Sequence, residues 1–330
     1  MDKIAVLIPC YNEALTIAKV VRDFRWALPE AEIYVYDNNS TDDTAMIARS
    51  EGAIVRHEYQ QGKGNVVRRM FSEVEADVYV LVDGDDTYPA DHIMDMILML
   101  KNRNLDMVYG DRLSNGIYTS ENKRLFHNFG NNLVKTLINW LFHASVTDIM
   151  TGYRVFSGRF VKNYPVMCDG FELETEMTLH ALDKRFSIEP YPIEYRDRPE
   201  GSTSKLNTVS DGWKVLKTIA GIFKDYKPLM FFGICSIAVA VLGLLCGLPV
   251  ISEYLREGYI HHVPLSILAA SLELFALNLL VCGLILDTVV KNDKKNYELR
   301  LVENTDAFLG EVHYATSREG EKMSDSHSDL

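Results

Sequence analysis

Residues 80–89 read VLVDGDDTYP: an apolar run closes at Val82, Asp83, Asp85 and Asp86 crowd into the next four residues, and Pro89 ends the segment. A short apolar run bounded by turn residues fits a buried strand. Carboxylates packed this closely repel one another unless something relieves them. A bound divalent cation would do so, because hard ions such as Mg²⁺ and Mn²⁺ seek carboxylate oxygens. An Asp-rich turn capping the next helix is the simpler explanation, and the surrounding chain decides between them.

Working outward, the same arrangement recurs. Strand-like runs KIAVLIP, EIYVYD, AIVRHE, DVYVLVD and LDMVYGD alternate with helical stretches at 13–27, 41–52 and 64–74. Regular β-α alternation predicts a mostly parallel sheet covered by helices on both faces. Ligands of such sheets sit beyond the carboxyl ends of the strands. Three runs end there in polar groups: Pro9-Cys10-Tyr11-Asn12-Glu13, Asp37-Asn38-Asn39-Ser40 and Asp83-Gly84-Asp85. No GxGxxG follows the first run and no GxxxxGK[ST] occurs, so neither Rossmann-dehydrogenase nor P-loop phosphate cradles are present. A nucleotide site built this way would use a carboxylate and an aromatic for the nucleoside and a metal for the diphosphate.

Composition points to a membrane. The formal charge of -12 over 330 residues argues against generic nucleic-acid binding. Cys10, Cys168, Cys235, Cys246 and Cys282 form no CxxC or Cys/His cluster, so they read as reduced structural residues. Residues 229–251 hold 23 positions without a charge, enough to cross a hydrocarbon core of ~30 Å. A second apolar segment, 264–290, contains Glu273, which is expensive against lipid and is expected to face the first span or another subunit. Lys224 and Lys227 precede the first span, Lys291, Lys294 and Lys295 follow the second, and the connecting loop offers only Arg256. By the positive-inside rule both ends of the hairpin face the cytoplasm, which makes the chain a multi-pass protein of the cell membrane with residues 1–208 as a cytoplasmic domain. Trp213, Leu216 and Phe223, with Lys214 and Lys217 among them, fit an amphipathic interfacial helix over 209–227. The acidic tail within 291–330 is expected to lack regular structure from Glu303 onward.

The motifs IPCYNE, VYDNNSTDDT, GKGN and VDGDDTYP, in that order, resemble the GT-A fold of family 2 inverting glycosyltransferases. YGDRL, KRLFHNFGNNL, TDIMTGYRVF and RPEGSTSKL, followed by two spans, are similar to the polyisoprenyl-phosphate sugar synthases, the group of dolichol-phosphate mannose synthase. The resemblance implies that Pro9, Tyr11, Asn12, Glu13, Val35 and Asp37 hold the nucleoside, with Lys63 and Gly84 also on the donor side. It implies that Asp83 and Asp85 bind Mn²⁺ or Mg²⁺ at the donor diphosphate. The family's DDGS is here Asp37-Asn38-Asn39-Ser40, and Thr87 stands where some relatives carry a Gln ligand. The resemblance also implies that Arg112, Arg124, Arg198 and Lys205 meet the acceptor phosphate and that Asp148 lies near it, with helix N-capping the competing reading of Asp148. Glu172, Glu174 and Glu176 read either as substrate-hydroxyl ligands or, preferably, as the solvated first turn of a helix.

The expectation is therefore an inverting, metal-dependent hexosyltransferase. It would take a nucleotide diphosphate sugar, by analogy a UDP-sugar, and a polyisoprenyl phosphate, by analogy undecaprenyl phosphate. Asp83, Asp85, Asp148 and Arg124 are the catalytic candidates. The hairpin is also a candidate surface for homo-oligomers, and a downstream flippase a candidate partner. A transferase for another lipid or a polysaccharide, and a non-catalytic sugar-nucleotide scaffold, are the competing readings.

Overall fold

The computed structural model describes residues 2–113, 125–170, 172–196 and 220–325, with side chains from 133 onward in the helix that begins at Leu125 and up to 302 in the last one. The chain divides into two compact units, Met1–Leu216 and Lys217–Leu330.

The first unit is a seven-stranded sheet. Its strands are β1 (Ile4–Cys10), β2 (Glu32–Asp37), β3 (Ile54–His57), β4 (Val78–Leu81), β5 (Met107–Asp111), β6 (Arg154–Ser157) and β7 (Ile188–Pro192). They lie in the order β3-β2-β1-β4-β6-β5-β7. All pairings are parallel except those of β6, which runs antiparallel to both β4 and β5. Burial on both faces explains the near-continuous apolar runs: Ala5, Val6, Leu7, Ile8, Val80 and Leu81 are fully inaccessible. The helix α1 (Ile17–Ala27) turns Ile17, Val20, Val21 and Phe24 into the core, one stripe at i, i+3, i+4 and i+7. Each such side chain contributes roughly 1.5–3 kcal/mol by leaving water. The other α-helices among the described residues of this unit are α2 (Thr44–Ser50), α3 (Lys63–Glu73), α4 (Ile93–Asn102), α5 (Leu125–Phe142), α6 (Gly158–Asn163) and α7 (Leu173–Asp183).

The register brings the polar strand ends level. Cys10 pairs with Asp37, and Asp37 with His57, while Leu81 pairs with Leu7 three residues short of Cys10. Asp83 and Gly84 therefore leave β4 beside the end of β1. The antiparallel β6 is the departure from simple β-α alternation. It is held by Arg154, wholly buried, whose five N–H groups donate to the carbonyls of Thr151, Ile149 and Glu174, to Thr178 Oγ1 and to Met107 Sδ. A buried guanidinium is tolerable only when its donors are satisfied in this way.

The second unit opens with helical turns at 220–226, the described part of the expected interfacial helix. Two long helices follow, α8 (Pro228–Glu257) and α9 (Val263–Asp325), each long and apolar enough to cross a membrane. They pack on each other: Ser236 Oγ donates to the Ala276 carbonyl at 2.7 Å, and a Cβ at Gly283 would stand 3.0 Å from that of Phe232. Small residues and buried hydroxyls are what close helix packing in lipid requires. Glu273 faces α8, the first of the two placements expected for it: a Cβ on Gly243 would meet its carboxylate at 2.6 Å. Gly258 takes the left-handed conformation, φ 66°, that ends α8. The backbone of α9 continues helical to Asp325, through the stretch expected to lack regular structure; Phe308, Val312 and Ala315 in it recur at helical spacing.

Candidate active site

The strand ends build an acidic floor. Asp37, 4% exposed, accepts from the Ser40 amide through Oδ2, which also lies 3.3 Å from His57 Nδ1. Its Oδ1 is buried and accepts from no donor among the described residues. Asn12 and Asn39 sit at positive φ, 55° and 62°, which Asn tolerates in turns. The Asn12 amide donates to Ser40 Oγ and its Oδ1 accepts from the Thr41 amide, so the loops after β1 and β2 are laced together. The Glu13 amide donates to Thr44 Oγ1. Asn38 bridges to the loop after β3, donating to the Glu58 and Gln60 carbonyls and accepting from the Gly62 amide.

Asp83 and Asp85 stand next to this floor. Burial pushes the Cys10 thiol well up, and the carboxylates of Glu13, Asp37, Asp83 and Asp85 push it further. Four acids thus converge on one buried sulfur. A Cβ on Gly84 would meet that sulfur at 2.7 Å, so only glycine lets the DGD turn close over β1. Asp85, 4% exposed, accepts from Thr87 Oγ1 at 2.6 Å. Asp86 turns away at φ 59° and pairs with Lys19 Nζ at 2.6 Å.

Lys63 begins α3 and reaches across the site. Its ammonium donates to Asp83 Oδ1 at 2.5 Å and Glu174 Oε1 at 2.6 Å. Burial alone would lower its pKa, but the two carboxylates outweigh burial and hold it above the ordinary lysine value. The glycines flanking it serve packing. The Gly64 amide donates to the Asp169 carbonyl, and a Cβ at Gly62 or Gly64 would lie 2.1 Å from the carbonyl of Asp169 or Cys168. That segment is pinned from α7, where Glu176 accepts from the amides of Met167 and Cys168.

The third group adjoins the second. Arg112, at the end of β5, forms a two-point pair with Asp148, Nε to Oδ2 at 2.7 Å and Nη2 to Oδ1 at 3.0 Å. The Tyr195 ring lies 5.3 Å from its guanidinium carbon. Tyr88 joins this pair to the segment beside Asp83: its hydroxyl accepts from Arg112 Nη1 at 3.4 Å and from the Gly152 amide at 3.0 Å. Gly152 in turn lies against Asp83, and a Cβ there would stand 2.3 Å from Oδ2.

Residues 5–163 match the model of "Glycosyl transferase family 2". Glycosyltransferase AglJ of Haloferax volcanii is 30% identical over 293 residues, covering 88% of this chain and 94% of that protein. The chain belongs to glycosyl transferase family 2. The dolichyl-phosphate hexose transferase of the same organism is 30% identical over 222 residues, 67% of this chain and 94% of its own length. Among solved structures, the glucosyl-3-phosphoglycerate synthase of Mycobacterium tuberculosis, in complex with Mn²⁺, UDP and glucosyl-3-phosphoglycerate, superposes with a TM-score of 0.53. It shares 20% identity and covers 68% of this chain and 79% of its own, a likeness of fold. The first unit is a GT-A fold and the protein is a glycosyltransferase.

In this family 2 enzyme, Pro9, Tyr11, Asn12, Glu13, Asp37 and Gly84 gather at the strand ends as the motifs suggest. Val35 does not: it is fully buried in the core, two residues below the end of β2. Lys63 is drawn to Asp83 and Glu174, and its flanking glycines lie against the 168–169 backbone. Asp148 caps no helix among the described residues but fixes Arg112. Glu174 is the principal correction, since it is 6% exposed and paired with Lys63, not solvated; Glu172 alone of the three glutamates is exposed. Gly152 and Tyr88 carried no individual sequence signal, because their roles arise from contact with Asp83 and Arg112. Arg124, Arg198 and Lys205 lie outside the described residues.

Asp83 and Asp85 suit a hard divalent cation. Their oxygens are the donors such ions prefer, Asp83 Oδ2 has no hydrogen-bond donor among the described residues, and the neighbouring Cys10 thiol is held protonated.

Proposed function

We propose that this glycosyltransferase moves one hexosyl unit from a UDP-sugar to a polyisoprenyl phosphate, undecaprenyl phosphate in a bacterial cell, with inversion at the anomeric carbon. The reaction would use Mn²⁺ or Mg²⁺ and take place at the cytoplasmic face of the membrane. The observation that carries the acceptor assignment is the pair of long apolar helices that ends the chain, which gives a family 2 fold a means of meeting a lipid. The name of one relative, a dolichyl-phosphate hexose transferase, supports the same class of acceptor.

The chain's own groups fit the chemistry. Asp37 Oδ1, buried and unpaired, would accept the imide N–H of the base, and Tyr11 offers an apolar ring to pack on it. A divalent ion held by Asp83 and Asp85 would neutralise charge on the departing nucleotide. The acceptor phosphate is already an anionic nucleophile at neutral pH, its second pKa near ~6, so positioned cations matter more than a strong base. Arg112, locked in plane by Asp148, would be one of these, with Arg124, Arg198 and Lys205 supplying the others. A phosphate oxygen forms its bond to the anomeric carbon as the bond to the diphosphate breaks on the opposite face, which inverts the centre.

Membranes carrying the protein, incubated with radiolabelled UDP-hexoses and undecaprenyl phosphate, should yield label that extracts with lipid. Asp85→Ala should abolish it at every Mn²⁺ concentration. Donor binding without lipid-extractable label would favour a scaffold, and label in polymer would favour a polysaccharide acceptor.

A further inference from the structure

We propose that the turn joining the two long helices is a binding site for a divalent transition-metal ion, zinc above all, made by Glu253, Glu257, His261 and His262. This is independent of the transferase site, which lies in the other unit. Glu253 and Glu257 occupy one face of the last two turns of α8, four residues apart. Gly258 then reverses the chain in its left-handed conformation, and the two histidines return onto that face. His261 Nε2 lies 3.0 Å from Glu257 Oε2, and His262 Nδ1 lies 3.1 and 3.2 Å from the two oxygens of Glu253. The His262 amide also points at Glu253, and the Tyr259 ring packs 5.0 Å from that of His261.

One ligand atom each from Glu253, Glu257 and His261 lie within 4.8 Å of one another. Four-coordinate zinc, with bonds of about 2.0–2.2 Å, asks for ligand atoms about 3.4 Å apart. Exposed side chains on a single turn can close that gap by changing rotamer. Isolated His–carboxylate pairs at a surface stabilise little. Two imidazoles and two carboxylates carried on one turn are a donor set that zinc accepts. The preference differs from that of the Asp83–Asp85 pair, whose all-oxygen set suits Mg²⁺ and Mn²⁺. Bound there, the ion would tie the end of α8 to the start of α9. Because the imidazoles must be neutral to coordinate, affinity would fall as they take up protons.

The test is a Co²⁺ titration of the full chain in detergent, read by visible absorption, in the wild type and in an Asp85→Ala background that weakens cobalt binding at the transferase site. The strong absorption of four-coordinate cobalt should saturate at one ion per chain in both and disappear on adding Zn²⁺. His261→Ala and His262→Ala, both at exposed positions, should each raise the cobalt dissociation constant at least about tenfold with circular dichroism unchanged. Absorption no stronger than that of six-coordinate aqueous cobalt, or variant titrations that superimpose on the parent, would overturn the site. The wild-type comparison decides the matter if the Asp85→Ala chain fails to fold.

Discussion

Gly152 leaves no room for a side chain, and the neighbour that would have to yield is Asp83. Gly152→Ala should therefore displace the carboxylate, lowering kcat/KM by on the order of 10²-fold, the scale on which misplacing a site group by about an ångström acts. Far-UV circular dichroism should stay native, and Mn²⁺ binding read by calorimetry should weaken in parallel. Gly221→Ala, where a Cβ meets nothing within 4 Å, is the control and should leave turnover unchanged. The acidic turn was legible in sequence because its carboxylates are contiguous: Asp83, Gly84 and Asp85 sit together whatever the fold does. Glu174 and Gly152 were not, because each acquires its partner only when distant segments meet. An acidic residue in a first helical turn reads as solvated until a lysine from another helix is found against it.

At the level of elements, the parallel strands announced themselves through buried apolar runs, and β6 did not. Its four residues begin with an arginine, and no hydrophobic period can reveal a guanidinium that is buried because its five donors are satisfied. The loop between α5 and β6 carries Asp148, whose side chain is inaccessible and bound to Arg112. Asp148→Ala takes the paired carboxylate away from the largely enclosed Arg112 guanidinium, and urea denaturation should report a loss of about 3 kcal/mol. Asp148→Asn, which keeps an acceptor but no charge, should lose less stability while raising the acceptor KM. Helix α7 contributes a pH response. His180 packs among Phe160, Tyr164 and Phe186, and burial, reinforced by Lys184, pushes its pKa down to about 4 from 6.5. The unfolded chain then binds more protons in that interval. Stability from the neutral ring is full above pH 6.5 and drains away as the pH falls toward 4, by about 3 kcal/mol. The gap in urea midpoint between wild type and His180→Gln should change over this interval and be flat above it.

Across the whole molecule, the division between an α/β unit and a hairpin of apolar helices was readable because apolar residues concentrate in two long, charge-poor stretches near the C-terminus. The hairpin's lysine bias predicts its direction in the bilayer. A tag inserted after Gly258 in intact cells should be reached by a membrane-impermeant reagent, and one at residue 2 should not; the reverse pattern would invert the proposed orientation. The first unit holds its own lesson in the ammonium group wedged between Asp83 and Glu174. Deprived of divalent ions, the pocket is not left with bare repelling anions, since the polypeptide supplies a resident counter-ion. Exhaustive chelation should therefore silence the enzyme while its melting temperature scarcely moves, and adding Mn²⁺ back should restore turnover without any refolding lag.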